Sequence, residues 1–277
     1  MTVDAAPELV ARRARELLAA RDGAGQLATI SGADLSFTMA DAYIVADELR
    51  RMRLARGERT LGYKIGFTNR GIWARYGVFE PIWGPVWDTT LERCDDAHAT
   101  VSLARFAAPR LEPEIMFGFA RTPAAGQSRE DLFDCIEWVA HGFEIVDTHF
   151  ADWRFAAPDT AAVFALHGRL FVGPRVPVAR FDRARVAAEL AAIEVVLVCD
   201  GRDVETGRAD IVLDGPLHAL RLWVDAMAAQ PQRWPIVAGD IVTTGTITDA
   251  APLRPGARWQ TRLSDPRFAP MTLVTME

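Results

Sequence analysis

The N-terminal part of the chain carries apolar side chains at helical spacing. In the segment 7–21 the periodic apolar positions are Leu9, Val10, Ala14, Leu17 and Leu18. A second apolar stripe follows Thr38, which can cap a helix together with Asp41 three residues later. These patterns predict a helical N-terminal segment over 1–58.

From Leu61 onward the apolar runs are short, rich in β-branched and aromatic residues, and separated by glycine or proline. The runs read LGYKIGF, LEPEIMFGF, GFEIVDTHF, GRLFVG, IEVVLVCDG, DIVTTGTIT and ARWQTRL. Runs of this kind predict strands. The pair Asp200-Gly201 predicts a hairpin turn between two of them.

Three helical patterns interrupt the predicted strands. One covers 129–141, with Ser128 as its cap and Gly142 as its end; one covers 182–191; and one begins at Pro216. Because strands do not alternate regularly with helices, the pattern does not favour a doubly wound sheet. It predicts an α+β, strand-rich fold, with 59–277 as a second domain after the helical segment.

Composition narrows the class of protein. Half of the 277 residues are hydrophobic and a quarter are charged, which is typical of a soluble globular protein. A net charge of −6 gives no electrostatic reason to expect nucleic acid or an anionic membrane as partner. The charged N-terminus is not a secretion signal, and the three cysteines are scattered, so we expect a cytoplasmic protein without disulfides.

Two glutamates alternate along one predicted strand in the sequence PRLEPEIMF (109–117). Side chains two apart on a strand share a face, so Glu112 and Glu114 point the same way. If that face meets solvent, they are a polar face of an amphipathic strand. If it points inward, two close carboxylates repel each other, and a hard divalent cation relieves both the repulsion and the cost of burial.

A third carboxylate occurs in the apolar setting of GFEIVDTHF, at Glu144. Three glutamates without cysteine ligands or paired histidines indicate Mg²⁺ or Mn²⁺ rather than Zn²⁺. Lys64 lies in another apolar run, between Gly62 and Gly66. It is either a lysine that snorkels from a strand edge or a partly buried acid or base with a lowered pKa.

These segments together resemble a known family. GYKIGFTN, GVFEPIWG, RLEPEIMFGF, FEIVDTHFADW with Asp159-Thr160, and AGDIVTTG occur in the order found in the 2-oxopent-4-enoate hydratase / 4-oxalocrotonate decarboxylase family of the fumarylacetoacetate hydrolase superfamily. The resemblance covers about 61–250. It implies a fumarylacetoacetase-like mixed β-roll for the catalytic domain 59–277, assembled as a homo-oligomer.

The resemblance also implies roles for individual residues. Glu112, Glu114 and Glu144 match the carboxylates that hold Mg²⁺ or Mn²⁺, and Lys64 matches the active-site lysine. The AGDIVTTG segment matches a turn that helps to hold the substrate carboxylate, which makes Thr244, Gly245 and Thr246 candidates for substrate binding. The substrate would be a 2-oxo acid or its enol, such as 2-hydroxypenta-2,4-dienoate, which reacts through a dienolate whose charge the metal stabilises.

Two departures from the family pattern affect the predicted pocket. Phe79 stands where family hydratases carry aspartate, and the segment 163–166 reads VFAL where they have Asp-Asn-Ala-Ser. Phe164 and Trp83 are candidates for apolar pocket walls. His149 and His167 are candidates to replace the missing acid or base, although a histidine with a structural role is an alternative for each.

Several reactions remain open at this point. The main prediction is a hydratase that adds water to a 2-hydroxydienoate. A 4-oxalocrotonate-type decarboxylase, a tautomerase or a C–C hydrolase on the same scaffold is the alternative. A third hypothesis is a non-catalytic partner subunit in a hydratase–decarboxylase complex. The retention of Lys64 and all three glutamates counts against this hypothesis, because a structural partner has no need of these residues.

Overall fold

Beyond the N-terminal helices, more residues lie in strands than in helices. The structure is a computed structural model that describes residues 7–277. The strands are β1 (Thr60–Gly66), β2 (Ile82–Trp87), β3 (Leu91–Arg93), β4 (His98–Ser102), β5 (Pro109–Phe119), β6 (Ile136–Asp147), β7 (His167–Val172), β8 (Val176–Pro177), β9 (Glu194–Cys199), β10 (Arg202–Arg208), β11 (Ile241–Thr246), β12 (Ala251–Pro252), β13 (Arg258–Leu263) and β14 (Thr272–Met276).

Two long helices precede the first strand, as the apolar periodicity predicts. The helices are α1 (Pro7–Gly23), α2 (Ile30–Ala33), α3 (Met39–Ala55), α4 (Trp73–Tyr76), α5 (Arg129–Phe133), α6 (Ala157–Ala162), α7 (Val186–Ala191) and α8 (Pro216–Ala229). The predicted cap of α3 is confirmed. Thr38 and Asp41 form a reciprocal capping box, which satisfies amide groups that the first turn leaves unpaired.

The larger sheet is mixed and positions the site. Its order is β2-β1-β11-β5-β6-β7-β3, with β12 beside β5 and β8 beside β6. Strands β5 and β6 are the longest, and they pair antiparallel along nearly their whole length. Strand β1 runs parallel to β11, and the chains approach so closely at Gly62 that a Cβ atom there would lie 1.8 Å from the carbonyl oxygen of Ile241. Only glycine permits this contact.

The smaller sheet has the order β10-β9-β13-β14-β4. The predicted hairpin between β9 and β10 is confirmed: Asp200 and Gly201 both have positive φ, at 49° and 78°, as a type I′ turn requires. The two sheets and the helices together confirm the prediction of a strand-rich α+β fold.

The N-terminal helices share one hydrophobic core with the sheets. Leu17 of α1, Leu49 of α3, Trp87 of β2 and Phe164 after α6 belong to the same buried cluster. Burial of the apolar faces of α1 and α3 therefore depends on the strands. No helix within residues 7–277 is long and apolar enough to cross a membrane.

Two helix predictions need correction. The helix predicted over 129–141 is wrong beyond its first turns: α5 ends at Phe133, and Ile136 begins the long strand β6. The predicted cap at Ser128 is present. The chain nevertheless continues as a strand, because pairing with β5 buries the aromatic and β-branched residues on both faces of β6. The helix predicted over 182–191 begins only at Val186.

Candidate metal and active site

Three glutamates meet where β5 and β6 pair. Glu112 lies directly opposite Glu144 in the ladder, and Glu114 follows on the same face of β5. One carboxylate oxygen from each residue lies within 4.8 Å of the other two. The inward alternative of the sequence interpretation is therefore correct, since Glu114 and Glu144 are fully buried and Glu112 is only partly exposed.

The three carboxylates are poorly compensated within the protein. Burial raises the pKa of Glu112 and Glu114 to about 8, and it raises the pKa of Glu144 as well. The neighbouring carboxylates add repulsion to Glu112 and Glu114. Oε1 of Glu114 accepts no hydrogen bond from residues 7–277, and Oε2 of Glu144 has the Lys64 ammonium 3.1 Å away. A buried oxygen without a hydrogen bond, in a cluster of hard donors, fits a divalent cation such as Mg²⁺ or Mn²⁺.

Lys64 faces this cluster from β1. Its Nζ lies 3.1 Å from Oε2 of Glu144 and donates a hydrogen bond of 3.0 Å to the carbonyl oxygen of Ala165. Burial alone lowers the pKa of Lys64, but attraction to Glu144, Glu112 and Glu114 outweighs it and raises the pKa. The direction is opposite to the lowered pKa that the sequence suggested. The lysine is a buried cation, not a snorkelling one.

The Ala165 carbonyl that accepts the hydrogen bond from Lys64 belongs to an unusual turn. Phe164, Ala165 and Leu166 have φ values of 61°, 53° and 64°, so three consecutive non-glycine residues adopt the left-handed conformation. This conformation costs roughly 1–2 kcal/mol for each L-residue. The surrounding core and the hydrogen bond from Lys64 hold the turn in place.

A buried hydrogen-bond chain holds Glu144 from the other side. Nδ1 of His167 lies 2.7 Å from Oε1 of Glu144, and Nε2 lies 2.8 Å from the hydroxyl of Thr90. The amide of Trp87 donates to the same hydroxyl at 3.2 Å. Burial lowers the pKa of His167 well below its usual value, so the ring is neutral, with its proton on Nδ1 toward the carboxylate.

Glu114 is held by the glycine of the AGDIVTTG segment. The amide of Gly245 donates a hydrogen bond of 2.7 Å to Oε2 of Glu114. Gly245 has a φ of 103°, and a Cβ atom there would lie 1.9 Å from Oγ1 of Thr68. Both the positive φ and the close approach to Thr68 require glycine at this position. The turn places the Gly245 amide next to the Glu114 carboxylate.

A cavity of about 510 Å³ opens beside the glutamates. Lys64, Glu112, Gly245 and Thr246 line it together with apolar residues that include Ile82 and Leu166. A pocket of this volume, with polar and apolar groups on its wall, suits a small organic acid.

Arg110 also lines this cavity. Its guanidinium stacks on Trp153 at 4.0 Å and has no carboxylate partner within 4.0 Å among residues 7–277. The sequence interpretation missed this residue, although Arg110, Glu112 and Glu114 alternate along β5 and the period of a strand places them on one face. Ala165 and Thr90 were missed for another reason: they act through a carbonyl and a hydroxyl that only the folded chain brings to the site.

Other residues predicted for the site lie outside this cavity. The Phe79 side chain is 77% exposed. Trp83 packs on Tyr43 with ring centroids 4.9 Å apart, and Phe164 packs on Trp87 at 6.0 Å. Both rings belong to the core beneath the N-terminal helices.

Two further predicted residues also face elsewhere. The Thr244 hydroxyl donates to the carbonyl of Ile115. His149 lines a different cavity, and its Nδ1 lies 3.0 Å from the carbonyl oxygen of Gly25. The structure thus brings Lys64, Glu112, Gly245 and Thr246 around one cavity, with Glu114 and Glu144 buried beside Glu112, and leaves the histidines behind or away from it.

Curated relatives match most of the chain. It is 31% identical to a 4-oxalocrotonate decarboxylase from a Pseudomonas species, over 83% of this chain and 87% of that protein. It is 29% identical to a 2-hydroxyhexa-2,4-dienoate hydratase from Comamonas testosteroni, over 91% and 92% of the two chains. No family model matches the chain.

Solved structures share the fold. The 4-oxalocrotonate decarboxylase from Pseudomonas putida G7, complexed with magnesium and adipate, has a TM-score of 0.88 at 25% identity and covers 98% of both chains. The fumarylpyruvate hydrolase from Pseudomonas aeruginosa, in complex with Mn²⁺ and pyruvate, has a TM-score of 0.59 over 79% of this chain and 89% of that one, and its 12% identity supports the fold alone. The predicted fumarylacetoacetase-like fold is confirmed. With this fold, and with 31% identity across most of its length, the chain belongs to the 2-keto-4-pentenoate hydratase and 4-oxalocrotonate decarboxylase family of the fumarylacetoacetate hydrolase superfamily, whose members are lyase-type enzymes.

Proposed function

We propose that the protein is a divalent-metal-dependent lyase that adds water to a 2-hydroxydienoate related to 2-hydroxypenta-2,4-dienoate. The observation that carries this proposal is the grouping of Glu112, Glu114 and Glu144 opposite Lys64 at one cavity. A hydratase among the relatives, matched over 91% of this chain, supports the same reaction.

Glu112, Glu114 and Glu144 are the proposed metal ligands, with Mg²⁺ or Mn²⁺ as the ion. The unpaired Oε1 of Glu114 and the repulsion among the carboxylates support this assignment, as does the magnesium complex of the Pseudomonas putida G7 enzyme. When bound, the ion supplies Lewis-acid stabilisation for the negative charge that develops on the substrate oxygen at C2.

The roles that we propose for the other site residues depend on which of them line the cavity. Lys64 presents an ammonium group beside the ligand carboxylates, and we assign it the proton that is delivered to C3. Gly245 and Thr246 line the end where the substrate carboxylate would lie. His167 is a positioning residue, because its ring contacts Glu144 and does not line the cavity.

Decarboxylation of a 2-oxo dicarboxylate such as 4-oxalocrotonate is the second candidate. The specific observation in its favour is Arg110, a cavity-lining guanidinium without a carboxylate partner within residues 7–277, which can bind a second substrate carboxylate. In this reaction the bond to the departing carboxylate breaks, CO₂ leaves, and the electron pair remains in the dienolate. No water is needed, which suits the apolar wall at Ile82 and Leu166.

One experiment separates the two candidates. Turnover of 2-hydroxypenta-2,4-dienoate is followed by ultraviolet absorbance with Mg²⁺ and with chelator, and the product is identified by mass. Metal-dependent gain of one water supports the hydratase. If this substrate is not consumed but 4-oxalocrotonate loses CO₂ in a reaction that Arg110→Gln slows at least tenfold, the decarboxylase is correct. Conversion of neither substrate would contradict both.

We also propose the cellular setting and assembly. The similarity to a 4-oxalocrotonate decarboxylase and a 2-hydroxyhexa-2,4-dienoate hydratase supports a cytoplasmic enzyme, in which residues 7–58 pack on the catalytic domain 59–277. A homo-oligomer, or a complex with an enzyme of the same pathway, would cover the exposed side chains of Leu35 (95%) and Phe79 (77%). Light scattering of the purified chain, alone and with candidate partners, tests this assembly.

A further inference from the structure

A second cavity, of about 760 Å³, lies apart from the active cavity. It is lined by the C-terminal turns of α1 and α3, the turn before β3, the segment from β4 to Phe106, and the ends of β6 and β7. Thr90, which contacts His167, is one of its lining residues, and no residue lines both cavities. We call this space the arginine cavity, because its walls carry Arg21, Arg53, Arg56, Arg105 and Arg169.

The charge of the arginine cavity is opposite to that of the whole chain. Five arginines face three carboxylates, an excess of two positive charges, whereas the net charge of the protein is −6. Such local enrichment of one charge within a cavity concentrates ligands of the opposite sign.

Two of the three carboxylates are already paired. Asp22 forms an ion pair with Arg56 at 2.7 Å. Glu58 accepts three hydrogen bonds from Arg53 and one from Thr89. The close partner of each carboxylate is thus an arginine other than Arg21 and Arg105.

The third carboxylate is also engaged. Asp147 accepts hydrogen bonds from the backbone amides of Ala107 and Ala108, the shortest of them 2.7 Å. Within residues 7–277, Arg21 and Arg105 therefore have no carboxylate within 4.0 Å. Two guanidinium groups of one cavity therefore form no close ion pair within the part of the chain that the structure describes.

Arg21 is held in place from behind. Its guanidinium donates to the carbonyl oxygens of His167 at 2.7 Å and Gly168 at 3.3 Å. Burial, with added repulsion from Arg53, lowers the pKa of Arg21 to about 10, so the group remains charged at neutral pH. Arg21 is thus a fixed cation at the wall of the cavity.

Arg53 is the most deeply buried member of the set. Its side chain is 3% exposed and stacks over Trp87 at 4.3 Å, and its Nη1 has no hydrogen-bond partner among the residues that the structure describes. An unpartnered buried donor is costly, by about 1–3 kcal/mol. Arg21 and Arg53 occupy the last turns of α1 and α3, where cations favour the helix dipole. That explains the location of the two arginines but leaves the missing partner of Nη1 unexplained.

We propose that the arginine cavity is a second ligand site, which binds a small oxyanion of the carboxylate or phosphate class between Arg21, Arg53 and Arg105. Guanidinium groups bind such anions through paired, charge-assisted hydrogen bonds. The volume suits a small organic acid or phosphate ester. The site is independent of the proposed reaction, because it shares no lining residue with the active cavity.

Binding is measured on chelator-treated full-length protein, so that anions cannot be held by a metal at the glutamates. Sodium phosphate and sodium succinate are titrated separately by calorimetry and by thermal unfolding, against sodium chloride at equal ionic strength. We expect at least one of the two anions to raise the unfolding temperature above the chloride control, since a ligand that binds only the folded state stabilises it. Which anion binds more tightly distinguishes a phosphoryl ligand from an organic acid.

Arg105→Gln and Arg110→Gln are the matched variants. Arg105 is exposed and unpaired, so its replacement does not endanger folding, and we expect it to weaken anion binding about tenfold. Arg110 lines the active cavity, so any anion binding that Arg110→Gln removes belongs to that cavity, and the binding that Arg105→Gln removes should persist in Arg110→Gln. The proposal is overturned if neither anion exceeds chloride, if Arg105→Gln binds as well as the wild type, or if Arg110→Gln alone loses binding.

Discussion

Nδ1 of His167 lies 2.7 Å from Oε1 of Glu144, with both side chains fully buried. Since Thr90 occupies the other ring nitrogen, the histidine has one orientation and one tautomer. One oxygen of Glu144 is thereby engaged, and the other, Oε2, faces Lys64 and the neighbouring glutamates. The contact fixes the direction in which a proposed metal ligand presents its second oxygen, Oε2.

Loss of this contact should weaken metal binding. We expect His167→Phe to lower the affinity for Mn²⁺ by about 10–100-fold, because partners that orient a ligating carboxylate contribute at this level. Titration followed by electron paramagnetic resonance measures the affinity directly. Thr90→Val should have a smaller effect in the same direction, and Thr90→Ser, which keeps the hydroxyl, should match the wild type. Equal affinity in His167→Phe would contradict a positioning role.

Replacement of Glu114 should separate stability from metal binding. Glu114→Gln removes one of three mutually repelling carboxylates, so we expect the metal-free variant to unfold at a higher temperature than the metal-free wild type. Added Mg²⁺ should then stabilise the wild type, by about 2.7 kcal/mol at one hundred times Kd, but not the variant. Thermal unfolding with and without Mg²⁺ tests both parts. Unchanged metal-dependent activity in Glu114→Gln would remove this residue from the site.

Lys64→Ala should reduce turnover more than metal affinity. We expect the rate to fall by about 10²–10⁴-fold, the usual contribution of a positioned proton donor. The metal should bind no more weakly, because the substitution removes a positive charge beside the carboxylates. Steady-state kinetics and Mn²⁺ titration on the same preparation measure the two effects. A wild-type rate would exclude Lys64 from the reaction.

Gly245 can be tested against another glycine of the same segment. In Gly245→Ala the new Cβ would meet Oγ1 of Thr68 at a φ of 103°, whereas Gly239 has a φ of 92° with nothing within 4 Å of a Cβ. We expect Gly239→Ala to lower the free energy of unfolding by about 1–2 kcal/mol, from backbone strain alone. Gly245→Ala should cost a further ~1–3 kcal/mol from the steric overlap. Urea unfolding measures both, and equal losses would show that the contact with Thr68 is relieved without cost.

Asp240 should make the protein less stable as pH rises. Burial raises its pKa to about 6 from an ordinary value of 3.8, so the folded state favours the protonated form. The folded state then binds more protons than the unfolded chain between pH 4 and pH 6, and the free energy of unfolding falls across that range. The loss is on the order of 1–2 kcal/mol after allowance for partial solvation of the group. Asp240→Asn should remove this dependence relative to the wild type in urea unfolding at several pH values.

The local patterns that the sequence could determine are those of single elements. The capping box at Thr38 and Asp41, the proline that begins α8 and the turn at Asp200-Gly201 depend on neighbours a few residues apart, and all three occur as predicted. The period of a strand also placed Glu112 and Glu114 on one face. What the period did not decide was whether that face meets solvent or the interior.

The wrong helix prediction over 129–141 shows what the local sequence pattern cannot specify. Ser128 does cap a helix, but the residues after Phe133 form a strand because β5 offers an apolar partner along the full length of β6. A strand forms its backbone hydrogen bonds with a partner that can be distant in sequence, whereas a helix forms them within itself. The register of this pairing sets Glu112 opposite Glu144, and no periodicity within either segment specifies that register.

The remaining features of the site belong to the tertiary structure. Pairing of β6 with β7 brings His167 to Glu144, and the left-handed turn at Ala165 turns its carbonyl toward Lys64. The sequence determined which chemical groups this protein has available, namely three glutamates and one lysine in apolar surroundings. Only the folded chain decided that they share one cavity, because distances between residues far apart in sequence are set by strand register and core packing.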